Sequence, residues 1–162
     1  MSHNITIALL ASLSLLGACS KKDGGSASGK SAEGAKVATK LPKLGLQLDI
    51  PGEALLADGI GGDKATMLSG PGIGGMQVDI PKAPQTVEEA KSDASMYNPK
   101  NLKTETLPDG YVITFENTGS MGTNYWVQVR RDIGGKTYEC STTGSEAAQA
   151  KAVVEACKSL RP

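Results

Sequence analysis

From residue 44 onward, apolar residues recur with two different periods, and the switch between them constrains the fold more than any other feature of the sequence. Within residues 44–50 every second residue is apolar and a Pro-Gly pair follows, which is typical of a half-buried β-strand. Shorter runs near residues 65–68 and 76–80 predict two more strands. Residues 87–97 then place apolar side chains at helical spacing, after a capping-box sequence that begins at Thr86.

The second half of this region continues the pattern. Strands are predicted at residues 102–107, 111–117, 124–132 and 137–142, and each gap between them contains Gly or another turn-forming residue. A four-stranded antiparallel meander is the simplest connection. A final helix is predicted from a cap at Ser145 to about residue 160. The expected fold class is therefore α+β, with an antiparallel sheet of about six or seven strands flanked by two helices.

Three short segments resemble the PsbP and DcrB-like domains. They are Leu48-Asp49-Ile50-Pro51-Gly52 at the opening strand, Leu107-Pro108-Asp109-Gly110-Tyr111 before a later strand, and Lys158-Ser159-Leu160 at the end of the last helix. The resemblance also includes the order of elements across nearly the whole domain. It implies an antiparallel sheet flanked by helices, in a family with more accessory, binding and assembly proteins than enzymes. No functional residue is carried over from it.

Residues 5–18 are uncharged and mostly apolar, and they end at Cys19. A run of this length is too short to span a bilayer as a helix, but it matches the apolar core of a secretory signal peptide. The segment Leu16-Gly17-Ala18-Cys19 resembles the lipobox of bacterial lipoproteins. The resemblance implies cleavage before Cys19, diacylglycerol on its sulfur and an acyl chain such as palmitate on its amino group. The alternative is that Cys19 is an ordinary thiol.

The next segment has the composition of a flexible tether. Residues 20–43 are mainly Gly, Ser, Ala and Lys, and six Lys outweigh Asp23 and Glu33. We therefore predict a signal peptide at 1–18, a lipidated Cys and tether at 19–43, and one α+β domain at 44–162. The tether lysines either favour anionic lipid or simply keep the segment soluble. Because Ser20 rather than Asp follows Cys19, the lipoprotein resemblance implies the outer membrane, at its periplasmic face.

Composition excludes several classes of chemistry. The 17 Lys and Arg balance 17 Asp and Glu, which argues against a general nucleic-acid binder. The single histidine, His3, lies within the predicted signal peptide, so a mature chain would lack the usual catalytic triads and most zinc sites. We therefore predict no catalytic residue, no metal and no cofactor. A pair of carboxylates brought together by the fold stays open as a catalytic site.

Two cysteines remain after Cys19. Cys140 lies on the last predicted strand, and Cys157 lies on the helix that should pack back over it. An even pair in an oxidising compartment predicts a Cys140–Cys157 disulfide. The alternative is two separate buried thiols.

Alternation within strand 124–132 identifies a candidate contact surface. Val127 and Val129 point to one side, while Trp126 and Arg130 point to the other. We expect the more apolar side of each strand to face the helices, including the side of residues 111, 113 and 115 in the preceding strand. Trp126 and Arg130 would then lie on the more polar side as partner contacts, since Trp and Arg are enriched in binding hot spots. The alternative is that the first helix or a Gly-rich loop covers Trp126.

The sequence thus predicts a non-enzymatic envelope lipoprotein that binds an envelope protein or assists envelope assembly, held on the membrane by its lipid. A module that binds a small ligand or carbohydrate is the first alternative, and a hydrolase with acidic catalysts is the second. An uninterrupted exposed apolar face would favour protein binding. Two carboxylates facing each other in a cleft would favour the hydrolase.

Overall fold

The computed structural model describes residues 35–162. The predicted signal peptide, Cys19 and the predicted tether up to residue 34 lie outside the described residues. Within the described part, the chain forms nine strands and two helices. In chain order these are β1 Lys36–Leu41, β2 Leu46–Pro51, β3 Leu55–Gly59, β4 Gly62–Gly70, β5 Gly74–Asp79, α1 Val87–Ser95, β6 Lys100–Leu107, β7 Gly110–Gly119, β8 Gly122–Ile133, β9 Lys136–Gly144 and α2 Ala147–Lys158.

Seven of these strands form one antiparallel sheet in the order β3-β4-β5-β9-β8-β7-β6, and β1 and β2 form a separate two-stranded sheet. The predicted α+β class, with an antiparallel sheet and two helices, is confirmed. The predicted meander corresponds to β6, β7, β8 and β9, which are consecutive neighbours. Their order follows from tight turns, because each strand pairs with the next one along the chain.

Two strands lie where the sequence predicted none. β1 occupies residues assigned to the tether, because Leu41 is fully buried and pairs with Leu46 of β2. β3 has no buried residue, so it lacks the alternation that identifies a half-buried strand. It is held by backbone pairing with β4. The predicted tether boundary at residue 43 is therefore wrong for residues 36–41, which belong to the folded domain.

The two helices begin differently. The capping box of α1 forms as predicted: the Glu89 amide donates to Thr86 Oγ1 at 3.3 Å, and the Thr86 amide donates to Glu89 Oε2 at 2.8 Å. Glu146, rather than the predicted Ser145, is the N-cap residue of α2, and its side chain makes no capping bond. The Ser145 cap is wrong because Ser145 lies one residue too early for its side chain to reach the first free amides of the helix.

The main core fills one face of the large sheet. Helix α2 and the β1–β2 sheet cover this face, burying Leu48, Ile50 and Val153 against Val129 and Cys140. Each of these five side chains is fully buried. Burial of a Leu, Ile or Val side chain stabilises by about 1.5–3 kcal/mol, so this layer holds the domain together.

The opposite face is only partly covered. Ala90 and Ala94 of α1 pack on Tyr111, Ile113 and Phe115 of β7 and form a second, smaller cluster. Helix α1 contacts β7 far more than any other strand of the sheet. The faces of β5, β9 and β8 on this side are covered less: Gln85 bonds to Gln128 and Arg130 of β8, and Ile60 bonds to Gln77 of β5.

The assignment of β7 to a sheet face requires a correction. Phe115 pairs with Trp126 and Ile113 pairs with Gln128, so residues 111, 113 and 115 share the face of Trp126 rather than that of Val127 and Val129. The turn between β7 and β8 sets this register by pairing Gly119 with Gly122, which places odd residues of β7 opposite even residues of β8. One helix lies on each face of the sheet, so both faces carry apolar residues. The apolar side of one strand therefore need not lie on the same face as the apolar side of its neighbour.

Candidate functional site

The less covered part of the sheet face forms an open groove of about 580 Å³. We call it the sheet groove. Polar side chains of β5, β9 and β8 line it between Tyr97 and Trp126 at one end and the β3–β4 hairpin at the other. Its lining side chains include Ile60, Met67, Gln77, Gln85, Tyr97, Trp126, Gln128, Glu139, Ser141 and Thr143.

Cross-strand pairing arranges the side chains of this sheet face in rows. One row runs Gln77–Ser141–Gln128, and the next runs Asp79–Glu139–Arg130. Both rows end on β7 at apolar or aromatic residues, where α1 covers the sheet. The sequence thus places polar side chains where the face is open and apolar ones where a helix lies over it.

An aromatic cluster closes one end of the sheet groove. The ring centroids of Trp126 and Tyr97 are 4.6 Å apart, and those of Trp126 and Phe115 are 5.4 Å apart. Trp126 also donates its indole N–H to Asn117 Oδ1 at 3.0 Å. Phe115 is buried, whereas Tyr97 is 46% exposed. Trp126 is half-buried, so it packs against the smaller core and also lines the groove.

Arg130, the other predicted contact residue, lies on the same face, but its guanidinium is held by other groups of the protein. Its Nη2 lies 2.9 Å from Asp132 Oδ2, and its Nη1 donates to the Gln85 carbonyl at 2.8 Å. The Thr137 hydroxyl, which donates to Asp132, and Arg130 together lower the pKa of that carboxyl. The structure therefore places Trp126, and not Arg130, in the lining of the groove.

Two carboxylates lie directly opposite each other on the same face. Asp79 of β5 pairs in register with Glu139 of β9, and Glu139 lines the sheet groove. Partial burial is the main cause that raises the pKa of both groups, and the charge of Asp79 raises the pKa of Glu139 further. Gln77 Nε2 donates to Asp79 Oδ1 at 3.1 Å. In residues 35–162, neither carboxylate takes part in a salt bridge.

Tyr111 ends the row that contains this pair. Its ring is buried under α1, and its hydroxyl donates to the Gln85 carbonyl at 3.4 Å. Burial, followed by the negative charge of Glu139, raises the pKa of Tyr111 to about 12. Tyr111 is therefore a neutral phenol at neutral pH and adds no further negative charge to this row.

The acidic pair was not predicted from the sequence. Its only local signal is a carboxylate at an alternate position of an apolar strand, as in Val78-Asp79 and Tyr138-Glu139. That signal does not show which strands become neighbours. The pairing of β5 with β9 joins segments separated by α1 and three strands, so tertiary structure alone brings the two groups together.

A second depression of about 310 Å³ lies among residues of β6, β7, β8 and α2. Lys103 and Lys151 line it together with Glu116, Tyr125 and Val154. Its charges are mixed in sign, and its volume is about half that of the sheet groove.

The remaining predicted site residues are the cysteines. Cys140 on β9 and Cys157 on α2 are fully buried and lie at disulfide-bonding distance, with their Cα atoms 5.9 Å apart. This bridge ties α2 to the centre of the sheet. Cys19 lies outside the described residues. In the part of the chain that the structure describes, no three His, Cys, Asp or Glu side chains cluster as a metal site would require.

Comparison with protein-family models finds no match, and comparison with curated proteins finds no relative. Among residues 35–162, no helix has the length and apolar character needed to cross a bilayer. The likeness to PsbP and DcrB-like domains and the lipoprotein motif at Cys19 therefore stay predictions from the sequence.

Proposed function

We propose that this chain is a lipid-anchored envelope protein that binds, without catalysing a reaction, an extended segment of a partner envelope protein in the sheet groove. The sequence Leu16-Gly17-Ala18-Cys19 supports the anchor, and Ser20 supports a position on the periplasmic face of the outer membrane. Lipid chains at Cys19 would keep the domain at the membrane, within reach of other envelope proteins.

The observation that carries this proposal is the open groove itself. Its lining offers the hydroxyl groups of Ser141 and Thr143, which suit the N–H and C=O groups of an extended peptide. The neighbouring amides of Gln77 and Gln128 already bond to Ile60 and Gln85. Tyr97 and Trp126 form an aromatic end wall, and such residues are enriched in protein interfaces. Neighbouring strands lie about 4.8 Å apart, so the three strands β5, β9 and β8 provide a width of about 10 Å or more for a single chain.

Site-specific photo-crosslinking in intact cells tests this proposal. A photoreactive residue at Thr143, which is exposed in the groove, should give a discrete protein adduct. The matched control is Thr106, an exposed threonine of the edge strand β6 that does not line the groove. Adding Ser141→Trp, which fills the floor, should abolish the Thr143 adduct. Equal adducts from both positions, or an adduct unaffected by Ser141→Trp, would show that the groove does not bind a partner protein.

A second candidate function is hydrolysis with acidic catalysts. The observation that favours it is the pair Asp79 and Glu139, which lie directly opposite each other with raised pKa values, Glu139 lining the groove. A raised pKa suits a general acid at neutral pH. The test is cleavage of a panel of chromogenic glycosides by the purified protein. Activity that both Asp79→Asn and Glu139→Gln abolish would support this function, and no cleavage by the wild type would exclude it for those substrates.

A further inference from the structure

The sheet groove carries a negative charge that the described protein does not neutralise. Asp79 and Glu139 face each other across β5 and β9, and like charges directly opposite on neighbouring strands repel. Two carboxylates line the groove itself, Glu139 and Asp93, and Asp93 accepts a hydrogen bond from Gln85. Asp79 is the register neighbour of Glu139 and does not itself line the groove. Among residues 35–162, no Lys or Arg contributes to the lining.

The cation next to Glu139 in its cross-strand row cannot serve as the missing partner without losing its own contacts. Arg130 lies beside Glu139 in the cross-strand row. Its guanidinium nevertheless donates to Asp132 at 2.9 Å and to the Gln85 carbonyl at 2.8 Å. A positive group brought by a ligand would instead find two carboxylates whose repulsion it relieves.

The aromatic cluster lies at a defined distance from this charge. Trp126 and Arg130 belong to the same strand and the same face, four residues apart, so the rows through them are separated by about 13 Å at 3.3 Å per residue. An extended peptide lying along the strands has the same rise per residue. Its residues i and i+4 would therefore reach the acidic pair and the aromatic end at the same time.

From this geometry and charge we infer that the occupant of the sheet groove is an extended basic segment of the partner protein. A Lys or Arg side chain binds between Asp79 and Glu139, and an apolar or aromatic side chain four residues away packs on Tyr97 and Trp126. This inference rests on the proposed protein-binding function and adds the chemistry of the partner: a cationic residue spaced from an apolar one by three intervening residues.

Peptide binding to the full-length protein in detergent micelles tests the inference. The probe is the peptide Lys-Thr-Ser-Thr-Leu with blocked ends, and Trp126 fluorescence reports binding because Trp126 is the only tryptophan of the chain. The matched peptide Gln-Thr-Ser-Thr-Leu should bind at least tenfold more weakly. Lys-Ser-Leu, which places the same groups two residues apart, should also bind at least tenfold more weakly.

Variants of the protein test whether the preference for the Lys peptide over the Gln peptide depends on the acidic pair. Glu139→Gln should weaken binding of the Lys peptide at least tenfold and leave binding of the Gln peptide unchanged. Glu53→Gln, which removes an exposed carboxylate outside the groove, should change neither. Asp79→Asn is the second variant and should act in the same direction as Glu139→Gln.

Other outcomes overturn the inference. Equal binding of the Lys and Gln peptides, stronger binding of a Glu-Thr-Ser-Thr-Leu peptide, or no binding of any peptide at millimolar concentration would each show that a basic segment is not the occupant. If the Thr143 adduct described above persists in that case, a partner still docks in the groove by other chemistry. If the adduct is also absent, the proposed function fails as well.

Discussion

Replacing Glu139 by Gln should make the protein more stable at neutral pH. The substitution removes one of two like charges that face each other across β5 and β9, and it leaves the side chain nearly unchanged in shape. Gln retains a carbonyl oxygen, so it can still accept the hydrogen bond that Gln128 gives to Glu139. The substitution therefore removes mainly electrostatic repulsion and the cost of keeping a charge partly buried.

The size of the effect follows from the position of the pair. Directly opposed like charges in a sheet cost up to about 1 kcal/mol relative to a neutral pair. We therefore expect the free energy of unfolding at pH 7.5 to rise by about 1 kcal/mol. For a domain of this length, that gain corresponds to an increase in Tm of about 4 °C.

The pH dependence of this gain has a definite sign. Folding raises the pKa of Glu139 above its ordinary value of 4.5, mainly by burial and then by the charge of Asp79. Below the ordinary value both carboxyls are largely protonated, and the wild type has no repulsion to lose. As the pH rises through the raised pKa, the wild type loses this stability while the Gln variant keeps it. The advantage of the variant should therefore be near zero at pH 3.5 and complete at pH 7.5.

Urea unfolding followed by Trp126 fluorescence at several pH values measures this difference. Glu53→Gln is the control, because it removes an exposed carboxylate without an opposing charge and should change stability by less than about 0.5 kcal/mol. The double variant with Asp79→Asn should gain less than the sum of the two single variants, since either one removes the repulsion. A Glu139→Gln variant that is less stable than the wild type at pH 7.5, or equally stabilised at pH 3.5, would refute the electrostatic argument.

Four further predictions concern the anchor, the disulfide, the helix end and the aromatic cluster. Cys19→Ser should accumulate as precursor or soluble protein on fractionation, and full membrane retention with normal processing would contradict lipidation. The mass of the purified protein should rise by two hydrogens on reduction, and thiol labelling of the unreduced, denatured wild type would contradict the bridge. The double variant Cys140→Ser, Cys157→Ser should lose about 3 kcal/mol of stability in denaturant titrations. Arg131→Met should cost about 3 kcal/mol by the same assay, because its partly buried guanidinium pairs with Asp109 and donates to the last carbonyls of α2, and Met can do neither. An unchanged midpoint would show that these bonds contribute nothing net. Trp126→Ala should lower stability by about 2 kcal/mol and also abolish the Thr143 adduct, whereas Trp126→Phe should retain most of both; unchanged melting of the Ala variant would show that the aromatic cluster is not structural.

The elements that the sequence predicted best are those specified by local chemistry. Thr86 and Glu89 are three residues apart and cap α1 without help from the rest of the chain. The turn that pairs Gly119 with Gly122 joins two strands directly. In contrast, β1 and β3 are fixed by partners rather than by their own residue pattern, since β3 buries nothing and β1 buries only Leu41.

The candidate site shows the same division. Trp126 stood out because it is a large aromatic residue on the more polar side of its strand. Its neighbours on the sheet could not be deduced in the same way, because a register change of one residue exchanges the faces of a whole strand. The proximity of Asp79 and Glu139 results from the pairing of β5 with β9, which are distant in the sequence. Neither residue stands out in the sequence as part of an acidic pair.

Charged side chains on the two faces of the sheet differ in whether they have a partner of opposite charge. This difference is the strongest argument for a ligand in the groove. On the covered face, Arg131 lies 2.8 Å from Asp109 and also donates to the last carbonyls of α2, so its charge and hydrogen bonds are satisfied. On the open face, Asp79 and Glu139 repel each other, while the adjacent Arg130 is bound elsewhere. A single Gln would remove that cost without changing the fold. Charges held against stability in this way are characteristic of functional sites, and the group that would relieve them is a cation from outside the described chain.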